Sequence, residues 1–262
     1  MTHPSFEFTH ALCRLPAKSV TDGLRATDQG DPDPLTFVAE HAAYVSALRD
    51  AGCDVTVLPA DDAFPDSVFI EDPALALNGT AIVLRPGAET RLGEAAALRP
   101  ALVENMNDVI DLRTDGYVDG GDILCTDTRV LLGLSARTNQ RGAEDLRPIV
   151  EALGYTLEVL QTPPEILHFK TESSLLDATT VLATPTLAGS GAFKGLNVIE
   201  TAPKEEAAAN AIRVNGYVFL SAGYPKTAQR LQDAGYNLKI LNTSQAALVD
   251  GGLSCMSLRY SR

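Results

Sequence analysis

Four hairpin signals recur along this chain at nearly even intervals. Asn78-Gly79, Asp127-Thr128, Asp177-Ala178 and Asn215-Gly216 each interrupt a pair of short apolar runs, and the spacing between them is ~40–50 residues. The runs read as strand pairs over 74–84, 123–132, 174–184 and 211–220. After the first pair, helical periodicity covers about 91–103 and a strand 108–112. The second is followed by a helix over about 139–153 and a strand over 156–160, the fourth by a helix over about 225–234 and a strand over 238–241. The third has only a degenerate helical part after it. Each unit is therefore strand-strand-helix-strand. The two ends supply the pieces of one more: a strand over 12–16, a helix with Leu35, Val38, Ala39, Ala42, Val45 and Leu48 on its apolar face, a strand over 54–59, and a last strand over 254–260. A chain whose ends complete one unit describes a closed ring of five, which leaves fewer exposed sheet edges. A linear α/β sheet of irregular strand order is the competing arrangement.

The phase of the polar residues carries the functional reading. The loops before the hairpins hold Glu71-Asp72, then Asp119-Gly120-Gly121-Asp122, then His168-Phe169-Lys170, then Asn210, then Asp250 to Cys255. In a ring of like units, equivalent positions meet around one axis. Several carboxylates, one histidine and one cysteine are thus expected in a single pocket. Cys255 follows Gly251-Gly252 and precedes an alternating run, which puts it at a loop-to-strand junction where a thiol can be rigid yet accessible, as a nucleophile must be. The bland alternative is a small buried cysteine on a strand. Of the four histidines only His168 shares that phase; His3, His10 and His41, the last on a helix in a polar surrounding, read as solvated or internally satisfied. HExxH, P-loop, GxGxxG and GxSxG patterns are absent, which removes the usual metal, nucleotide and serine-hydrolase readings.

The formal charge of −13 argues against nucleic acid and anionic membranes as partners. The four cysteines show no CxxC pair, as in reduced intracellular proteins. The N-terminus lacks a basic segment followed by an apolar core, and no apolar run approaches the ~20 residues of a membrane span. A soluble cytoplasmic protein is expected, with residues 1–262 forming a single α/β catalytic domain. The crowded carboxylates Glu71, Asp72, Asp119 and Asp122 need cationic or hydrogen-bonding partners. A planar guanidinium on a substrate would satisfy them. So would Arg91, Arg137 or backbone amides, as structural ties, and Asp122 beside two glycines best fits such a brace.

The stretches Asp250-Gly-Gly-Leu-Ser-Cys-Met-Ser-Leu-Arg, Phe64-Pro-Asp-Ser-Val-Phe-Ile-Glu-Asp-Pro, Asp119-Gly-Gly-Asp and Leu134-Ser-Ala-Arg-Thr-Asn together resemble the guanidine-modifying enzymes of the pentein superfamily, specifically the dimethylarginine dimethylaminohydrolases. The likeness runs from about Phe8 to Tyr260. It implies a five-bladed α/β propeller around a central pore, in agreement with the repeat. It further implies Cys255 as nucleophile, His168 as general acid/base and Asp119 as the carboxylate that orients the histidine. Asp72 and Glu71 would grip the guanidinium, Arg91 and Arg137 the α-carboxylate. Asp66 and the backbone around Leu24 and Val249 would fix the amino-acid end, and Phe69 would line the wall. The implied reaction converts an Nω-methylated arginine to citrulline and an alkylamine through a thiouronium on Cys255, with no metal or organic cofactor. The small-molecule substrate is the expected partner; oligomeric state stays open, a homodimer being one option.

One departure bears on specificity. Arginine and agmatine deiminases carry a second carboxylate two residues after the histidine, where this chain has Lys170. Fewer carboxylates around the far guanidinium nitrogens favour methylated arginine over arginine. The rival readings are another guanidine hydrolase or amidinotransferase on the same propeller, and a non-catalytic propeller that only binds. The 19–34 loop, with Gly23 and Gly30, is a lid candidate.

Overall fold

The structure, a computed structural model, describes residues 4–262; His3 lies outside the described residues. The chain begins with β1 (His10–Arg14), a 3-10 turn at Lys18–Asp22, α1 (Pro34–Asp50) and β2 (Asp54–Leu58). Three full units follow. They comprise β3 (Ala74–Leu77), β4 (Thr80–Val83), α2 (Leu92–Asn105) and β5 (Asp108–Asp111); then β6 (Ile123–Cys125), β7 (Arg129–Leu134), α3 (Gln140–Ala152) and β8 (Thr156–Gln161); then β9 (Ser173–Asp177), β10 (Thr180–Ala183), α4 (Pro185–Gly189) and β11 (Asn197–Glu200). The last full unit is β12 (Ile212–Val214), β13 (Tyr217–Ser221), α5 (Pro225–Asp233) and β14 (Leu238–Leu241). A short α6 (Ser244–Ala247) and β15 (Leu258–Tyr260) end the chain.

The strands form five three-stranded sheets, β15-β1-β2, β3-β4-β5, β6-β7-β8, β9-β10-β11 and β12-β13-β14. In every sheet the first two strands are antiparallel and the third lies parallel to the middle one, which demands a crossover. The ring reading holds: β15 from the C-terminus pairs with β1 in the register His10↔Tyr260, Ala11↔Arg259, Leu12↔Leu258. The fold is a five-bladed α/β propeller. The Asn78-Gly79 turn takes φ of 49° and 76°, the left-handed pair that matches strand twist in a tight hairpin. The core lies between blades. Leu75 and Ile82 of one blade, for example, pack with Val130, Leu132, Ala143 and Leu146 of the next.

Three expectations fail here, each for a physical reason. The strand over 254–260 shrinks to Leu258–Tyr260, because residues 253–256 turn to carry Cys255 inward. The third unit does have a closing strand, β11, whose exposed polar Asn197 and Glu200 hid it. The buried face of α1 is Phe37, His41, Tyr44, Val45, Ala47 and Leu48, while Leu35 and Val38 face solvent. The face with the two aromatic rings removes more surface from water than a face of alanines.

His41 is therefore not in a polar surrounding. Its side chain is fully buried, and neither ring nitrogen has a hydrogen-bond partner among the described residues. Burial pushes its pKa down to about 4. The folded state thus refuses a proton that the unfolded chain accepts below the ordinary 6.5. Stability should be lost as pH falls from there toward 4, with this residue contributing on the order of 3 kcal/mol. Urea unfolding at pH 7 and pH 4 checks this: His41→Phe is expected to flatten the dependence relative to the parent. An unchanged pH slope would show that His41 plays no part in it.

Candidate active site

The polar residues singled out by their phase all lie two to five positions ahead of the first strand of a blade: Asp72 before Ala74, Asp119 before Ile123, His168 before Ser173, Asn210 before Ile212, and Cys255 before Leu258. Those first strands ring the axis, so the loops converge.

Cys255 is held by its own loop and by α1. The Tyr44 hydroxyl donates to the Leu253 carbonyl at 3.0 Å and shares a hydrogen bond with Ser257 Oγ at 2.6 Å, clamping the segment on both sides of the cysteine. The Cys255 carbonyl accepts from the Glu71 amide at 3.2 Å. The two glycines upstream come close to what they must: a Cβ at Gly251 would lie 2.2 Å from the Phe69 ring, and one at Gly252 2.5 Å from the Asn210 amide. Burial first, then the charges of Asp72 and Glu71, push the thiol up to about 11.

His168 Nε2 meets Asp119 Oδ2 at 3.1 Å. Asp119 is wholly buried, and its other oxygen accepts from the Gly87 amide at 3.2 Å. Burial alone would lower the imidazole pKa. The Asp119 bond and the charges of Asp122, Asp72 and Asp119 outweigh it, and the ring is pushed up to about 9. On its other side the Nδ1 edge packs against Gly121, where a Cβ would sit 2.7 Å away and 2.9 Å from Asp72 Oδ1. That close approach explains the second glycine of the Asp119-Gly-Gly-Asp stretch. Asp122 is the brace expected of it, accepting from the Phe169 amide at 2.9 Å and the Ser135 hydroxyl at 2.7 Å.

Asp72 belongs to the same cluster: its Oδ1 and the His168 Nδ1 edge crowd the same face of Gly121, and its charge pushes up the pKa of both the Cys255 thiol and the His168 ring. Its Oδ1 accepts from the Gly121 amide at 3.1 Å and its Oδ2 pairs with Arg91. Burial opposes its ionisation, but Arg91 prevails and holds the carboxyl below the usual range. Glu71 presents one oxygen to Lys170 at 2.7 Å and to Arg259 at 2.8 Å. Its Oε2 is buried and has no hydrogen-bond partner among the described residues. Such an orphan acceptor costs about 1–3 kcal/mol unless a donor meets it.

A second cluster lies beside the first. The Leu24 amide donates to Asp66 at 3.0 Å, and the space above Gly23 is bounded by Asp66 at 3.1 Å and Val249 at 3.2 Å. Burial raises the Asp66 pKa; the Arg91 and Arg137 charges oppose that. Arg137 is half-buried and forms no ion pair among the described residues. Arg91 differs from expectation. It is only 4% exposed, and its guanidinium is engaged by Glu94 at 3.0 and 2.6 Å, by Asp72, and by the Asp66 and Phe69 carbonyls. It is thus one of the structural ties that the carboxylates allowed from the outset. Phe69 is buried under the Gly251 turn.

The central pore also opens into a cavity of about 660 Å³, bordered by Glu71, Lys170, Ser254 and Arg259 but not by Cys255, His168, Asp119 or Asp72. The Glu71 ion pairs stand between that cavity and the cluster.

The family model described as "N,N dimethylarginine dimethylhydrolase, eukaryotic" matches residues 34–217. The N(G),N(G)-dimethylarginine dimethylaminohydrolase of Pseudomonas aeruginosa is 38% identical over 254 residues, covering 97% of this chain and all of that protein. The chain belongs to the dimethylarginine dimethylaminohydrolase family. A solved structure of the Pseudomonas aeruginosa enzyme, a cysteine-to-serine mutant complexed with citrulline, superposes with a TM-score of 0.94 over 97% of this chain and 100% of that one. A second dimethylarginine dimethylaminohydrolase structure, a histidine-to-glycine variant as an adduct with S-methyl-L-thiocitrulline, gives 0.92 at 38% identity, over 97% and 100% of the two chains.

For this member of the family, sequence reasoning missed Tyr44, Glu94 and Arg259. Tyr44 lies on a helix 209 residues along the chain from the Leu253 carbonyl it holds, and no local pattern marks it, whereas Glu94 sits one helical turn after Arg91 and its i,i+3 spacing could have shown the pair. Arg259 had a usable signal, a cation in the last strand four residues after Cys255, and it pairs with Glu71 at 2.8 Å. The His168–Asp119 pair generates a direct test. Asp119→Asn removes the charge that favours the imidazolium, so the His168 pKa should fall from about 9 toward the ordinary 6.5. NMR titration of the ring, assigned with a His168→Gln control, reads the shift; a midpoint that stays put would dissolve the pairing.

Proposed function

We propose that this protein hydrolyses Nω-methylated L-arginine to L-citrulline and dimethylamine or methylamine, with residues 1–262 acting as one catalytic domain. The observation that carries the reading is the convergence of the blade loops: His168 is paired with Asp119 and crowds Gly121 together with Asp72, the Cys255 carbonyl takes the Glu71 amide, and Glu71 keeps a buried oxygen without a donor among the described residues. A flat cation seated there meets Asp72 and that oxygen together. The family membership and the citrulline bound to the Pseudomonas aeruginosa relative support the same substrate class.

Cys255 is the nucleophile. Its thiol, at about 11, is protonated at neutral pH through burial first and the Asp72 and Glu71 charges after it, and a guanidinium beside it offsets those two charges. The substrate thereby favours the thiolate that attacks it. His168, at about 9, starts as the imidazolium and protonates the departing alkylamine. A thiouronium remains on the sulfur. The ring, now neutral, takes a proton from the water that attacks the same carbon. Asp119 keeps the ring oriented throughout. Arg137 holds the α-carboxylate, Asp66 and the backbone at Leu24 and Val249 hold the α-ammonium, and Phe69 walls the stem. Arg91 keeps Asp72 ionised from behind.

Lys170 supports the methylated substrate. It neutralises part of Glu71 instead of adding a carboxylate, so fewer acceptors demand hydrogen bonds from the far nitrogens. The experiment offers arginine, monomethylarginine and asymmetric dimethylarginine to the enzyme and measures citrulline. Faster turnover of plain arginine would overturn the substrate assignment. Cys255→Ser should abolish turnover while the melting temperature moves by no more than about a few degrees. A variant that keeps its activity would remove Cys255 from the chemistry.

A further inference from the structure

Four blades contribute to the reaction through Asp72, Asp119, His168 and Cys255; the fourth blade's equivalent position, Asn210, has no part in it so far. Asn210 is 7% exposed and follows the 3-10 turn Glu206–Ala209. Its Oδ1 accepts from the Ser254 amide at 3.0 Å, and its Nδ2 donates to Cys255 Sγ at 3.9 Å. The Ser254 amide can only donate, so it fixes which end of the Asn210 carboxamide faces the sulfur. Gly252 closes over the same carboxamide so tightly that a Cβ there would lie 2.5 Å from it. The amide is locked on all sides, with its donor edge toward the reacting atom.

We propose that Asn210 holds the Cys255 sulfur as a thiolate, and above all as the leaving group when the covalent intermediate breaks down. The inference rests on Cys255 being the nucleophile. Its physical basis is the charge around the sulfur at each step. Burial and then the charges of Asp72 and Glu71 oppose a thiolate, and the Arg259 guanidinium is committed to Glu71 and to the Ser254 and Ser257 carbonyls. During attack the substrate's positive charge compensates the two carboxylates. During breakdown that help disappears. Water forms the new C–O bond and gives one proton to His168. The C–S bond then breaks with its electron pair going to Sγ, and the second proton passes to solvent as neutral citrulline forms. The emerging thiolate must be met by donors of the protein itself: Asn210 Nδ2, the Ser254 hydroxyl at 3.7 Å and the Gly252 amide. Of these only Asn210 comes from another blade, and its carboxamide is fixed at the far end by the Ser254 amide.

The test uses the full chain with Asn210→Asp, which keeps the acceptor for Ser254 but replaces the donor edge, and Asn210→Ala, which removes both. kcat should fall at least about tenfold, and KM should fall with it because breakdown of the adduct becomes slow relative to its formation, as expected when a donor to the departing sulfur is lost. Acid-quenched samples during turnover should carry more enzyme mass-shifted at Cys255 than the parent, and alkylation of Cys255 by iodoacetamide at pH 9, followed by peptide mass spectrometry, should slow by a similar factor. Folded variants with parental kcat, adduct level and alkylation rate would overturn the proposal. So would a loss confined to KM and melting temperature, which is what a purely structural amide would give; if the aspartate variant does not fold, the alanine variant decides. Failure of the underlying reading looks different: Cys255→Ser would then stay active whatever Asn210 does.

Discussion

The antiparallel pairing of Leu258–Tyr260 with His10–Leu12 is the contact on which the rest depends. It joins the two ends of the chain into the fifth blade and so closes the ring. Without it the first strands of the other blades would have no common axis, and Cys255, three residues ahead of β15, would have no fixed place. The pairing spans almost the whole sequence, so its closure entropy is large, but that cost grows only logarithmically with length. Inter-blade packing offsets it. In the cluster between this blade and the β12-β13-β14 blade, Phe37, Tyr44 and Leu48 of α1 pack with Val214 and Phe219, and the Tyr44 hydroxyl carries that packing into the cysteine loop.

Around the axis the protein buries more charge than an apolar core would tolerate. It does so in two separate groups, Asp72–Arg91–Glu94 and Lys170–Glu71–Arg259. Burying ions is costly, and each group survives because its partners are mutually hydrogen-bonded. The first group holds Asp72 ionised beside the reacting atoms. The second leaves one Glu71 oxygen with no donor. Burial, and after it the Asp72 and Glu71 charges, keep the Cys255 thiol protonated, and the carboxylates keep the His168 ring charged. A guanidinium is then both substrate and the electrostatic complement that the cluster lacks.

The same logic separates what could be read along the chain from what could not. Hairpin turns were legible because Asn-Gly and Asp-rich turns depend on local backbone preferences, and Asn78 and Asn215 do take left-handed φ. The buried side of α1 was not, since leucine and alanine at helical spacing mark an apolar stripe without saying which stripe meets a neighbour. His41 went with it. β11 escaped notice because an edge strand with polar, exposed residues has no alternation to detect.

Sequence alone determined the repeat, the phase at which its polar residues recur, and hence which side chains share the axis; period and turn chemistry are local properties that survive without a fold. Only the tertiary structure decided how those charges pair. Arg91 fell to Asp72 and Glu94 instead of standing free beside Arg137, Lys170 and Arg259 shared one Glu71 oxygen, and Asn210 turned its donor edge to Cys255. Each of these depends on distances of a few ångströms between blades remote in sequence. Coulomb energy and hydrogen bonding vary steeply over such distances, and no pattern along the chain records them.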